Sequence, residues 1–162
     1  VESRLGEGST FWFEAPLPAA RSQQPRRSKV DRAELAGLRV LVADDAPANR
    51  ELVRAMLQAQ GVEVECVEDG VQAVAAVTTR RFDAVFMDVQ MPLLNGLQAA
   101  AAIRAHGGEA GSTPIYALTA NTDAEQAARC LAAGMDGHVG KPIDPKRLIG
   151  VLLSGGRERM AA

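Results

Sequence analysis

Asp44 and Asp45 close one short aliphatic run, Asp88 closes a second, Thr119 a third, and Lys141 follows a fourth. Carboxylates, a hydroxyl and an ammonium group can serve one reaction if the chain brings them together. A carboxylate is a competent nucleophile toward phosphorus. A transferred phosphoryl group spreads its charge over three oxygens and needs cations and donors around them. Three carboxylates in one cleft repel, each pair by about 4 kcal/mol at ~4 Å with an effective dielectric near 20. Lys141 offsets part of that repulsion. A hard divalent cation would offset more, and Mg2+ suits a few carboxylates, a carbonyl and water. The expected arrangement has Asp88 as nucleophile, with the cation, Lys141, and the Thr119 hydroxyl plus backbone N–H groups sharing the phosphoryl oxygens. Taken singly, an Asp at a strand end reads as a helix cap or turn residue. Thr119 and Lys141 alone read as ordinary strand-end and surface residues. The chemistry depends on all five meeting at one edge.

The elements that must position them alternate strictly. Leu38–Val42 reads as a strand, and Pro47 then sits where a first helical turn accepts proline. Leu52, Val53, Met56 and Leu57 recur at helical spacing on one face, and Gly61 stops that helix. Val62–Val67 is a second strand. Asp69-Gly70 leads a helix with Val71, Val74 and Ala75 inward, ending near Arg80. Ala84–Met87 is a fully apolar strand running into Asp88, followed by a helix over Gly96–Ala105 and the pair Gly107-Gly108. Ile115–Leu118 is the fourth strand. Asp123 caps a helix to Ala133, terminated by Gly134. His138-Val139 is the fifth strand, and Asp144 opens a last helix through Leu153. This alternation predicts an α/β fold: a doubly wound five-stranded parallel sheet in the order 2-1-3-4-5. In that order the first and third strands are neighbours at the switch point, where ligands bind beyond the strands' carboxyl ends.

Composition agrees with a globular, core-forming chain: 162 residues, 47% apolar, 4% aromatic, net charge −2. That balance speaks against a nucleic-acid partner, which would call for a basic stripe. No apolar run reaches the length of a membrane span, so no direct membrane contact is expected. Cys66 and Cys130 are too few for a disulfide framework and read as small buried hydrophobes of a reducing compartment. The start at Val1 rather than Met is expected of a fragment. Residues 1–18 read as a β-hairpin, with Gly6 and Gly8 at a turn and Thr10–Phe13 as a strand. Residues 19–36 read as a polar, solvated linker. The main domain is expected over 37–155, with a tail at 156–162. His106 is assigned no role.

Four motifs carry a resemblance: VLVADDAPANR (40–50), VFMDVQMPLLNG (85–96), IYALTAN (115–121) and GMDGHVGKPI (134–143). In this order and spacing they resemble the receiver domain of two-component signalling, which has a flavodoxin-like fold. The resemblance implies that Asp88 is the phosphoacceptor. It implies Mg2+ on Asp44, Asp45 and Asp88 with the backbone carbonyl of Gln90. It implies Thr119 as switch hydroxyl, Lys141 as the lysine that pairs with the phosphoryl group, and a cis Lys141-Pro142 bond. His138 falls where such domains often place Tyr or Phe, and its charge could make the switch pH-sensitive. Gln90 and Asn121 fall at positions that tune phosphoryl loss. All five active positions are filled, which argues against a degenerate receiver.

The segment VESRLGEGSTFWFEAPLP resembles the closing hairpin of a histidine-kinase ATP-binding domain, through Ser3, Gly6, Gly8, Ser9, Phe11 and Phe13. The implied parent is a hybrid sensor histidine kinase, cytoplasmic here and membrane-attached or not elsewhere. Its ATP site lies outside this piece, which should not hydrolyse ATP. The implied partners are a histidine-phosphorylated kinase domain or a histidine phosphotransfer protein. They would dock on the first helix, whose outward side is expected to show Arg50, Arg54 and Gln58. A phosphoaspartate phosphatase would need an acid where Gln90 stands. A nucleotide-binding fold would need a glycine-rich loop after the first strand, and none is there. A DNA-binding response regulator would need an output domain beyond the last helix.

Overall fold

The computed structural model describes residues 2–4, 8–10, 34–121 and 123–160. At the N-terminus, β1 (Glu2–Arg4) pairs antiparallel with β2 (Gly8–Thr10), Ser3 opposite Ser9. The expected strand Thr10–Phe13 otherwise lies outside the described residues, as does most of the linker.

From Arg39 onward five strands and their helices follow: β3 (Arg39–Ala43), α1 (Pro47–Gln58), β4 (Glu63–Val67), α2 (Gly70–Thr79), β5 (Ala84–Asp88), α3 (Gly96–His106), a short α4 (Gly108–Gly111), β6 (Ile115–Thr119), α5 (Ala124–Ala132), β7 (Gly137–Gly140) and α6 (Pro145–Met160). The sheet is parallel throughout, in the order β4-β3-β5-β6-β7. Counted from β3, this is the expected 2-1-3-4-5.

The inner strands β3, β5 and β6 read as near-continuous apolar runs because both faces are covered. Leu41, Ala43, Val85, Met87, Ile115 and Ala117 face a core shared with α2, α3 and Cys130 of α5. Val40, Val42, Phe86, Tyr116, Leu118 and Val139 face a second core with Val53 and Leu57 of α1 and Leu148 and Leu152 of α6. The local signals act as expected. Pro47 takes the first helical turn. Asp69 and Asp123 each accept a backbone N–H at a helix start, from Gln72 and Gln126. Gly61 and Gly134 leave their helices at φ +86°, a left-handed conformation that glycine adopts without penalty.

Several expectations need correction. Val71 is 52% exposed and Ala75 is exposed, so α2 instead buries Ala73, Ala76 and Val77. Leu52 is likewise outward, leaving Val53 and Leu57 as the buried pair of α1. Leu35, assigned to the linker, is 1% exposed in the core beside α1 and α6. Cys130 is buried, but Cys66 on edge strand β4 is only half-buried. The helical turn over Gly108–Gly111 and the extension of α6 to Met160 exceed what the glycines and the apolar spacing announced.

One clamp, not visible in any motif, closes the end of the sheet away from the strand tips. Arg104 of α3 donates from Nε to the Gly134 carbonyl (2.7 Å), from one terminal nitrogen to the Gly111 and Thr113 carbonyls (2.9 and 2.7 Å), and from the other to Asp136 (2.7 Å). Asp136 in turn accepts the Ile115 N–H at 2.7 Å. Arg104→Met leaves several carbonyls without this donor. The expected cost is about 3 kcal/mol, since charge-assisted bonds contribute about 1.5–3 kcal/mol each and are not additive. Chemical denaturation checks this; a loss below about 1 kcal/mol would show the clamp to be dispensable.

Candidate functional site: an acidic cleft at the strand tips

Parallel registry delivers the charged residues side by side. Ala43 pairs with Met87, so Asp44 and Asp88 stand next to each other one step on. Thr119 pairs with Gly140, which places Lys141 immediately beyond, and the Lys141 N–H donates to the Thr119 carbonyl at 2.7 Å. The Lys141-Pro142 peptide is cis, as the resemblance implies.

The ammonium of Lys141 joins the two strands. Its Nζ lies 2.7 Å from Asp88 Oδ2 and 3.0 Å from Asp44 Oδ2. Asp44 is fully buried and Asp88 is 8% exposed. Burial pushes the Asp88 carboxyl above the ordinary aspartate range, against the pull of Lys141, and the charge of Asp44 adds to the push. Burial works against the charge of Lys141, but its bonds to Asp88 and Asp44 outweigh that and hold its pKa above the usual value. The cluster therefore keeps its cation and is short of positive charge.

Oxygens of Asp44, Asp45 and Asp88 all lie within 4.8 Å of one another, a spacing that one metal ion could bridge. They are not equivalent. Asp44 Oδ1 accepts from the Ala46 N–H (2.9 Å) and Asn49 Nδ2 (3.0 Å), while Oδ2 accepts from Asn49 Nδ2 (3.1 Å) and Lys141. A carboxylate has about four lone-pair positions, so Asp44 is nearly saturated. Asp45 is exposed, and its carboxylate accepts no hydrogen bond among the described residues. Asp88 Oδ1 takes one long bond, 3.3 Å from the Gln90 N–H. Asp45 and Asp88 thus keep the lone pairs most open to a cation. From there a cavity of about 440 Å³ continues past Gln90, Asn95 and Leu97 to Gln126 and Arg129 of α5.

The response regulator receiver domain family matches residues 40–153. The chain belongs to that family. Sensor histidine kinase AruS of Pseudomonas aeruginosa is 39% identical over 144 residues, 88% of this chain and 14% of its own length. Sensor protein GacS of Pseudomonas syringae is 48% identical over 117 residues, 71% of this chain and 13% of its own length. The chain thus spans about one seventh of these curated relatives. Among solved structures, the receiver domain of sensor histidine kinase PA1611 from Pseudomonas aeruginosa has a TM-score of 0.70 and 37% identity, over 75% of this chain and 98% of that one. That structure carries a magnesium ion in its active-site cleft. The doubly wound order found above is the receiver fold.

In this receiver the Thr119 hydroxyl donates to the Asn121 carbonyl at 2.8 Å. His138 is on the exposed side of edge strand β7. Of the expected docking row on α1, Gln58 is exposed and Arg54 pairs with Glu51 at 3.0 Å. Arg50 does not face outward as expected. It turns to the acidic loop and donates to the carbonyls of Asp44 (2.7 Å) and Asp45 (3.0 Å). Asn49 and Arg50 are the residues that sequence reasoning missed at this site. The signal for them was their position, one turn into the helix that starts beside the acids. Among the described residues no helix is long and apolar enough to cross a membrane.

Proposed function

We propose that Asp88 accepts a phosphoryl group from a phosphohistidine, assisted by Mg2+, and that this resets the receiver through Thr119 and His138. The observation that carries the reading is the Lys141 ammonium bridging Asp44 and Asp88 while Asp45 stands free beside them. The donor set fits a hard cation. Asp45, Asp88 and the Gln90 carbonyl would hold Mg2+ directly, and Asp44, saturated by donors, would reach it through water. Bound there, the ion would neutralise charge on the transferring oxygens.

An Asp88 oxygen attacks phosphorus; the O–P bond forms as the P–N bond breaks, and the imidazole leaves with the electron pair. Lys141 already lies at bonding distance and follows the charge onto the phosphoryl group. Thr119 exchanges its Asn121 partner for a phosphoryl oxygen, which pulls on the loop after β6. No carboxylic acid stands at Gln90, so a phosphatase reading has no general acid and is not supported. The donor is a histidine-phosphorylated kinase domain or a histidine phosphotransfer protein. The parent is a hybrid sensor histidine kinase, with this segment cytoplasmic and residues 1–18 the end of its ATP-binding domain.

Incubation with Mg2+ and phosphoramidate, read by intact mass, tests the assignment. The expected result is a single phosphoryl adduct on the wild type and none on Asp88→Asn. An equal adduct on the Asn variant would remove Asp88 from the role.

A further inference from the structure

On either side of Asp45 the backbone is tied, the Asp44 N–H to the Val67 carbonyl (3.3 Å) and the Ala46 N–H to Asp44 Oδ1 (2.9 Å), but Asp45 itself is held by less. Only Asp44, Asp45 and Ala46 separate β3 from α1. Ala46 occupies the helix N-cap and supplies no side-chain cap. The Asp45 carboxylate has no hydrogen-bond partner among the described residues, so its direction depends on the conformation of these three residues. One nitrogen of Arg50 ties the first two together by taking both carbonyls, at 2.7 and 3.0 Å. The neighbouring Asn49 takes both oxygens of the Asp44 side chain. Side chain and main chain of the acid pair are therefore gripped by consecutive residues of α1.

We infer that Arg50 is a positioning residue for the metal site: it sets Mg2+ affinity by fixing the Asp44–Asp45 backbone, without touching the ion or the phosphoryl group. This rests on the metal-site reading above. Groups one step behind a metal's ligands change affinity by about 10–100-fold when removed. The effect of Arg50 should appear in binding rather than in the chemical step, because Asp88, Lys141 and Thr119 keep their own supports.

The test uses the 162-residue chain as wild type, Arg50→Met, Arg50→Lys and Arg104→Met. Arg50→Met keeps an aliphatic stem and loses both bonds. Arg50→Lys keeps a donor that can reach a carbonyl. Arg104→Met weakens the fold at the opposite end of the sheet. Mg2+ affinity is measured by calorimetry, and amide exchange of Asp45 and Ala46 is measured without metal. Arg50→Met should raise the Mg2+ Kd about tenfold and speed exchange at both amides. Saturating Mg2+ should restore most of its phosphorylation rate. Arg50→Lys should fall between, and Arg104→Met should bind as wild type does. An unchanged Kd in Arg50→Met would overturn the inference. So would an equal loss in Arg104→Met, which would trace the effect to general destabilisation. Wild type that binds no Mg2+ would overturn the metal-site reading itself, and this inference with it.

Discussion

Lys141→Met is expected to slow phosphoryl capture by Asp88 at least about 100-fold, with the protein still folded and still binding Mg2+. Removing one preplaced donor to developing charge costs about 10²–10³ in rate, and Lys141 already lies 2.7 Å from Asp88, the carboxylate we propose as nucleophile. The same change alters stability when metal is absent. Asp44 is fully buried, and the Lys141 side chain is only 22% exposed. Breaking a buried pair by deleting one partner costs about 3–5 kcal/mol. Asn49 and the Ala46 N–H still support Asp44, so the lower end, about 3 kcal/mol, is expected.

The sign of the pH dependence follows from Asp88. Burial already raises its pKa, and Lys141 is the main opposing influence. Without Lys141 the pKa rises further. The folded variant then keeps a proton that the unfolded chain has released. Its metal-free stability should therefore fall as pH rises through the folded pKa, and be regained on acidification toward the unfolded value of about 4. Mg2+ should restore part of the loss at neutral pH. Denaturation curves with and without Mg2+ at several pH values check this. A variant as stable as wild type at neutral pH without metal would show that Lys141 neutralises nothing.

Gly96→Ala should be strongly damaging for the addition of one methyl group. A Cβ at Gly96 would lie 2.1 Å from the Asp88 carbonyl oxygen and 3.0 Å from its carbon. The obstacle is main chain in the central strand, so it cannot rotate away. Overpacking of this kind costs about 3 kcal/mol, or about 10 °C in Tm for a domain of this size. The backbone displaced is that of Asp88 itself, the proposed nucleophile, and a shift near 1 Å at a reacting group costs about 100-fold in rate. Gly150→Ala is the control, since a Cβ there meets nothing within 4 Å. As an exposed helix position it should gain about 0.5–1 kcal/mol. Wild-type stability and labelling rate in Gly96→Ala would mean that α3 moves away from β5 at little cost.

The sequence by itself determined the alternation of strands and helices, and with it the edge at which Asp44, Asp45, Asp88, Thr119 and Lys141 gather. Parallel strands that share one direction present their carboxyl ends together, so strand-end residues far apart in the chain become neighbours without any further information. Helix starts at Pro47, Asp69 and Asp123 were legible because a first-turn proline and an Asp cap each act within three residues. The rotation of each helix was not. Apolar spacing defines a broad stripe, but packing against the sheet chose Ala73, Ala76 and Val77 over Val71, and left Leu52 outside. Partner choice among charges was hidden for the same reason. Lys141 reaches Asp44 across 97 positions, Arg104 reaches Asp136 across 32, and Arg50 turns inward because two carbonyls wait there. Such pairs form only when distant backbone has already been placed, and that placement belongs to the folded core.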